Sequence, residues 1–160
     1  MEEIMEIDLK NGKKEAIIVD LDGTLADIEE RLHHIEKDPK DWESFSKEIH
    51  TDLVNKWCER LMTAMKKQGC KILLVTGRMG NQLTRCETEN WLERWEVPWS
   101  IIYYRGDQDI RPDDVVKKEI YQKSIEPFFD VQFVVEDRAR VVKMWREIGL
   151  ICLQCAEGDF

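Results

Sequence analysis

Ala16-Ile17-Ile18-Val19-Asp20-Leu21-Asp22-Gly23-Thr24 is the stretch on which the fold turns. Its first four residues are apolar and mostly β-branched, the pattern of a strand buried on both faces. Two carboxylates then follow at i and i+2, so both leave the strand on the same side. Gly23 permits a sharp turn with backbone N–H groups facing inward. Three readings compete. Acidic residues commonly cap a strand, but two acids directly behind a fully apolar run exceed that need. An EF-hand calcium loop requires Gly at its sixth position and Glu at its twelfth, where this chain has Leu25 and Arg31. An aspartyl nucleophile with an acid/base two residues on suits the placement best.

The same alternation continues outward. Asp27 to Glu36 and Trp42 to Ile49 have short helical patterns, with Pro39 between them. Thr51 to Lys67 is strongly helical: Leu53, Val54, Trp57, Cys58, Leu61, Met62 and Met65 form one stripe, and Gly69 follows. Strand patterns lie at Lys71 to Thr76, Ser100 to Tyr104, Val131 to Val135 and Leu150 to Cys155. Helices are expected over Asn81 to Trp95, from Pro112 to about Ser124, and around Val141 to Ile148. A short strand and turn is expected between Met1 and Lys14. Strands alternating with helices predict an α/β fold, one domain over residues 1–160, with a parallel sheet covered on both faces. Such sheets bind ligands beyond the carboxyl ends of their strands.

Composition narrows the chemistry. Apolar residues make up 42% and charged residues 36% of the 160, a globular balance. No apolar run is long enough to span a bilayer. The Met1-Glu2-Glu3 start lacks signal-peptide character, so a cytoplasmic setting without membrane partners is expected. Five irregularly spaced cysteines argue against a disulfide framework, and the lone Cys152-x-x-Cys155 pair has no second pair with which to build a zinc site. The formal charge of −9 disfavours a long footprint on a polyanion.

Three further groups stand at or just after strand ends. Thr76-Gly77-Arg78 offers a hydroxyl, a close backbone approach and a bidentate cation for a phosphate. Asp113-Asp114-Val115-Val116-Lys117 opens a helix. Acids suit that terminus, but Lys117 in the second turn gains nothing from the dipole, so a place beside a phosphate explains it better. Glu136-Asp137-Arg138 puts two acids behind an apolar strand, a donor set suited to a hard cation such as Mg2+. The aromatics Trp57, Trp91, Trp95 and Trp145 fall at core positions. Trp42, Phe45, Tyr103 and Tyr104 are the candidates for stacking on a base. Of His33-His34, one is expected exposed and one packed.

The order D-x-D-G-T, T-G-R, helix-borne Lys, acidic pair resembles the haloacid-dehalogenase superfamily. A narrower likeness runs from Ala16 to Phe160. Gln108 to Lys117, Glu136 to Arg146 and Gly158-Asp159-Phe160 resemble the 3'-phosphatase domain of phage polynucleotide kinase-phosphatase. No G-x-x-x-x-G-K-[ST] loop is present, so only the phosphatase half is expected. The resemblance implies a Rossmann-like three-layer core with at most a minimal cap. It implies Asp20 as nucleophile, Asp22 as acid/base, and Thr76 and Lys117 as phosphate holders. Asp20, Asp137 and the Asp22 carbonyl would coordinate Mg2+, with Glu136 beside them where the family has Asp. Arg31, Arg78 and Asp113 match substrate-serving positions. The segment between Arg31 and Thr51 is longer than in the phage domain. The implied substrate is a phosphorylated DNA or RNA end, with no obligate protein partner. A mononucleotide or other small phosphate ester is the alternative, and a non-enzymatic phosphate- or partner-binding descendant the third. For Asp22 to serve as an acid its pKa has to be raised, which Asp20 and partial burial would supply.

Overall fold

The computed structural model describes residues 12–158; the strand and turn expected before them fall outside that range. Five strands form one parallel sheet: β1 (Lys14–Val19), β4 (Lys71–Met79), β5 (Ile101–Arg105), β6 (Phe129–Arg138) and β7 (Cys152–Gly158). Two short strands, β2 (Ala26–Asp27) and β3 (Leu53–Val54), pair antiparallel outside it. The order across the sheet is β5-β4-β1-β6-β7, which makes the strand bearing Asp20 the central one. Every main-sheet pairing is parallel.

Because β1 is covered on both faces, its alternate residues feed two cores. Ile17 and Val19 pack with Ile72, Leu74, Cys58, Met62 and Trp91. That layer is built by α2 (Lys56–Lys67) and α3 (Gln82–Arg94). Ala16 and Ile18 pack with Leu73, Val75, Val134, Val141 and Trp145 on the opposite face. Here the layer is α4 (Asp113–Ile120), a π-helical turn over Tyr121–Ile125, and α5 (Ala139–Glu147). The three-layer α/β architecture expected from the alternation is therefore present.

Two local readings change. The helix expected from Thr51 begins only at Lys56. Leu53 and Val54 fit a helical stripe, but they pair with Asp27 and Ala26 instead. The pairing closes a small insertion over residues 26–54, which contains a 3-10 turn (Glu29–His34), α1 (Trp42–Lys47) and a second 3-10 turn (Ile49–Thr51). Ile28, Ile35, Phe45 and Ile49 anchor it in the first core, so it is a packed flap and not a separate lid domain. Trp57, expected in the core, is 46% exposed, because the buried face of α2 is centred on Cys58 and Met62 and Trp57 lies one residue round the helix from it. No helix among the described residues is long and apolar enough to cross a membrane.

Candidate active site

The carboxyl ends of β1, β4 and β6 meet at one edge of the sheet. β1 delivers Asp20 and Asp22, β4 delivers Thr76 and Arg78, and β6 delivers Glu136 and Asp137. α4 adds Lys117 from the side. Asp20, Thr76, Arg78, Lys117, Glu136 and Asp137 are all buried.

Around Asp20 the geometry is tight. The Lys117 ammonium donates to Asp20 Oδ1 at 2.6 Å and to Glu136 Oε2 at 2.8 Å. It also pairs with Asp113 Oδ2 at 3.4 Å. The Thr24 hydroxyl donates toward Asp20 Oδ2 at 3.3 Å and is 3.5 Å from Asp137 Oδ1. Asp20, Glu136 and Asp137 each offer an oxygen within 4.8 Å of the others, enough to hold a metal ion. The donors are all oxygen, as a hard cation such as Mg2+ prefers. Glu136 is the least available of them. Its Oε1 already accepts from the backbone N–H groups of Asp137 and Arg138 while Oε2 holds Lys117. The Asp22 carboxylate lies outside this metal-capable group. Gly23, at φ +83°, and Gly158 flank Asp137 so closely that a Cβ on either would overlap its carboxylate.

Electrostatics follow from that crowding. Burial, then the Glu136 charge, push Asp20 up to about 7, with Lys117 pulling the other way. Burial and the Asp20 charge push Asp137 up to about 6. Burial works against the Lys117 charge, but Asp113, Asp20 and Glu136 outweigh it, and the lysine stays protonated. Three buried carboxylates thus share one ammonium.

On the Asp22 side the charges balance. Arg78 donates from Nε to Asp22 Oδ2 at 3.0 Å and from Nη2 to Oδ1 at 2.5 Å. Arg31 Nη2 reaches the same Oδ1 at 2.8 Å. Arg31 also clasps Asp52 with two bonds of 2.6 Å and donates to the Phe45 carbonyl at 2.7 Å. Burial opposes ionisation of Asp22, but Arg78 and Arg31 more than offset it and hold the carboxyl well below its usual range. The elevation expected for an acid is therefore absent from this resting arrangement. Arg31 is fully buried with its guanidinium stacked 4.0 Å over Phe45, so it is not at the mouth of the site.

Residues 14–160 match the family described as the polynucleotide kinase PNKP phosphatase domain. The chain belongs to that family. That places it among the haloacid-dehalogenase-type phosphatases, hydrolases of phosphoric monoesters. It is also similar to a chain in a structure of the Pnkp1/Rnl/Hen1 complex, with 32% identity, a TM-score of 0.77, and coverage of 93% of this chain and 48% of the other. A chain in the Pnkp1/Rnl/Hen1 RNA repair complex matches at 31% identity and TM-score 0.78, covering 100% of this chain and 48% of that one. This chain thus spans about half the length of those relatives. A hydrolase from Streptococcus pneumoniae TIGR4, 15% identical over 88% of this chain and 92% of its own, shares the fold with a TM-score of 0.57.

Within this PNKP-type site, several residues had no sequence signal. Asp52, 2% exposed, carries the Arg31 clasp, although in sequence Thr51-Asp52 reads as an ordinary helix start. Arg105 donates to the carbonyls of Gly77, Asp109 and Arg111 and to Asp113 Oδ1 at 3.1 Å. Asp113 sits among Arg105, Arg138 and Lys117, which outweigh its burial and lower its pKa. A carboxylate so held orients those three cations. Gly77 makes room for Asp113, against which a Cβ would stand 2.5 Å from Oδ1. The stacking candidates divide: Phe45 and Tyr104 are buried, the latter under Arg85, while Trp42 is half exposed. His33 is exposed, and His34 packs with Nε2 3.0 Å from Glu48. All five cysteines are free, with Cys58 and Cys152 pushed up to about 12 by burial.

Proposed function

We propose that this domain hydrolyses a phosphomonoester through a covalent phosphate on Asp20, with a polynucleotide 3'-phosphate as substrate. The observation that carries the reading is the Asp20 carboxylate, set at the end of the central strand against Lys117. A carboxylate needs no base to become a nucleophile; it needs aim, which Lys117 and Thr24 supply. One Asp20 oxygen attacks phosphorus, and the bond to the ester oxygen breaks. That oxygen takes a proton from Asp22. Asp22 then removes a proton from water, which attacks the same phosphorus. Inorganic phosphate leaves, and the Asp20 carboxylate is restored.

Asp22 reaches its acid form through the substrate. Arg78 clamps it at rest. An arriving phosphate dianion competes for the same guanidinium. Once Arg78 turns to the phosphate, the main group depressing the Asp22 pKa is gone, and its burial favours protonation. Arg31 stays in place, tied to Asp52, and keeps Asp22 aimed. Thr76 lends its hydroxyl to the phosphate, and Asp113 keeps Lys117 and its neighbours in position.

Asp20 and Asp137, with the Asp22 carbonyl, are the residues that would hold Mg2+, and Glu136 supports them by fixing Lys117. The bound cation supplies positive charge against a phosphate of roughly −1.5 to −2. The carboxylates of Asp20, Glu136 and Asp137 outnumber the one ammonium bonded to them, which suits a divalent ion.

The 3'-end assignment rests on family membership and on the absence of a lid domain among the described residues. The flap at 26–54 is small and packed down, and so is not a lid domain of the kind that encloses a small substrate. The discriminating experiment is a panel of 3'- and 5'-phosphorylated oligonucleotides and a nucleoside 3'-monophosphate, each with Mg2+ and with chelator. Faster release from the 3'-phosphorylated oligonucleotide is expected. Equal turnover of the mononucleotide would move the assignment to small phosphate esters.

A further inference from the structure

A groove of about 330 Å³ lies on the surface between α4 and α5. It takes no part in the chemistry above. Its floor is apolar, formed by Val115 and Met144, and three cations rim it: Lys118, Arg140 and Lys143. Two acids also line it. Asp114 Oδ1 pairs with Arg140 Nε at 2.8 Å, and Glu147 stands 3.7 Å from Lys143. Three cations against two acids leave the groove net positive, on a chain whose formal charge is −9.

Its position is the second observation. α4 and α5 both begin at the edge of the sheet where the active site lies, and two sets of ion pairs that meet at the neighbouring residues Asp113 and Asp114 lie between the two places. Lys117 bonds Asp20 at 2.6 Å and pairs with Asp113 at 3.4 Å. Asp113 pairs with Arg138 at 3.3 Å, and the next residue, Asp114, pairs with Arg140 at the head of the groove. From Arg140 the groove follows α5 away from the site as far as Glu147. Seven residues of α-helix rise about 10 Å, the length of roughly three stacked nucleotides.

We infer that this groove carries the polynucleotide strand whose terminal phosphate lies at Asp20. Lys143 and Arg140 neutralise backbone phosphates, and Val115 and Met144 pack beneath sugars or bases. The inference rests on the polymer-end reading and deepens it. The basic members of the pairs with Asp114 and Glu147 are solvent-exposed, Arg140 63% and Lys143 77%, so each can meet a phosphate without giving up its acid. This arrangement supplies the short cationic track that the overall acidity otherwise denies a nucleic acid.

The test compares wild type with the double variant Arg140→Gln/Lys143→Gln on three substrates over a salt series. These are a nucleoside 3'-monophosphate, a 3'-phosphorylated dinucleotide and a longer 3'-phosphorylated single strand. KM and kcat are measured separately, with melting temperature as the check on folding. Wild type should favour the longer strand. The variant should raise KM for that strand by about tenfold, leave its kcat unchanged and treat the mononucleotide as wild type does. The slope of log affinity against log salt should flatten by about 1.4, since each single-strand phosphate contact contributes about 0.7. If wild type gains nothing from chain length, the polymer-end reading fails and the groove assignment falls with it. If wild type favours the longer strand and the variant keeps both that preference and the salt slope, only the groove assignment falls. The groove would then suit an acidic protein segment better than a nucleic acid.

Discussion

Two arms of one site use the same kinds of residue to opposite ends. Around Asp22, two carboxylates (Asp22 and Asp52) meet two guanidiniums (Arg31 and Arg78), and every charge has a partner within the fold. Around Asp20, three buried carboxylates (Asp20, Glu136 and Asp137) crowd together, and Lys117 bonds the first two. The first arm is closed and balanced, the second acid-rich. A balanced cluster holds geometry, because moving any member strands a buried charge. An unbalanced one holds unused electrostatic energy, which a cation or a phosphate–cation pair can relieve. In the mechanism we propose, the contrast corresponds to positioning by Arg31 and Asp52, and chemistry at Asp20, Lys117 and Asp137.

The largest expected effect is on the acid-rich arm. Asp20→Ala should lower kcat by on the order of 10^4-fold or more, about 5.4 kcal/mol of transition-state stabilisation. Its fold, followed by circular dichroism, should be retained. Measurable wild-type turnover in purified Asp20→Ala protein would sink the assignment.

Metal removal should rank next. Chelation with EDTA should abolish phosphate release, and Asp137→Ala should mimic it, with Glu136→Ala doing less. The pH dependence has a definite sign. Asp20 and Asp137 titrate at about 7 and about 6 in the folded protein, against 3.8 for an unperturbed carboxyl. Their contribution to stability is therefore present below pH 3.8 and lost as pH rises through 6 to 7. A bound cation competes with those protons, so the rise in Tm on adding Mg2+ should be larger at about pH 8 than at about pH 5. A Tm gain independent of pH would contradict the cluster as the binding site.

On the balanced arm the readout changes from rate to stability. Arg31→Ala strands Asp52 in the interior and should cost about 3–5 kcal/mol of folding free energy, seen as a lower urea midpoint. Restoring neutrality with Arg31→Met/Asp52→Asn should recover part of the loss. A variant with unchanged stability and a raised KM alone would return Arg31 to the substrate.

Arg78 bridges the two arms and should give the smallest of these effects. Arg78→Ala should lower kcat/KM at least tenfold, about 1.4 kcal/mol. Because the clamp on Asp22 is lost in the free enzyme, the kcat/KM profile should also shift toward higher pH on its alkaline limb, where Asp22 must carry its proton. A drop in rate with no change in profile would separate Arg78 from the Asp22 proton.

Much of the acid-rich arm was legible in the sequence, for a physical reason. Its residues follow apolar strands or stand off a helix dipole, so each breaks a local rule where it occurs. Asp20 breaks the buried run Ala16 to Val19, and Lys117 sits where the helix has no use for it. Apart from Asp22, two residues beyond Asp20, the balanced arm broke no local rule. Arg31 meets Asp22 from nine residues away and Asp52 from 21, and Arg78 meets Asp22 from 56. Folding of the 26–54 flap brings Arg31 to Asp52 and Asp22, and the β1–β4 pairing brings Arg78 to Asp22, so neither the low Asp22 pKa nor the burial of Arg31 could be read from spacing. Leu53-Val54 failed for a related reason: two apolar residues satisfy a helical stripe and a strand pair equally well, and the partner Ala26-Asp27 lies far back in the chain. Arg105 was silent because its main partners are backbone carbonyls, which carry no sequence signature.

The most direct test of the mechanism is to trap phosphate on the enzyme. A 3'-phosphorylated oligonucleotide labelled in its phosphate is mixed with enzyme and Mg2+, and the reaction is quenched in acid within the first turnover. The account predicts acid-stable, hydroxylamine-labile label on the peptide containing Asp20, absent from Asp20→Asn protein. Complete phosphate release by wild type in a single turnover, with no label on protein at any quench time, would contradict it.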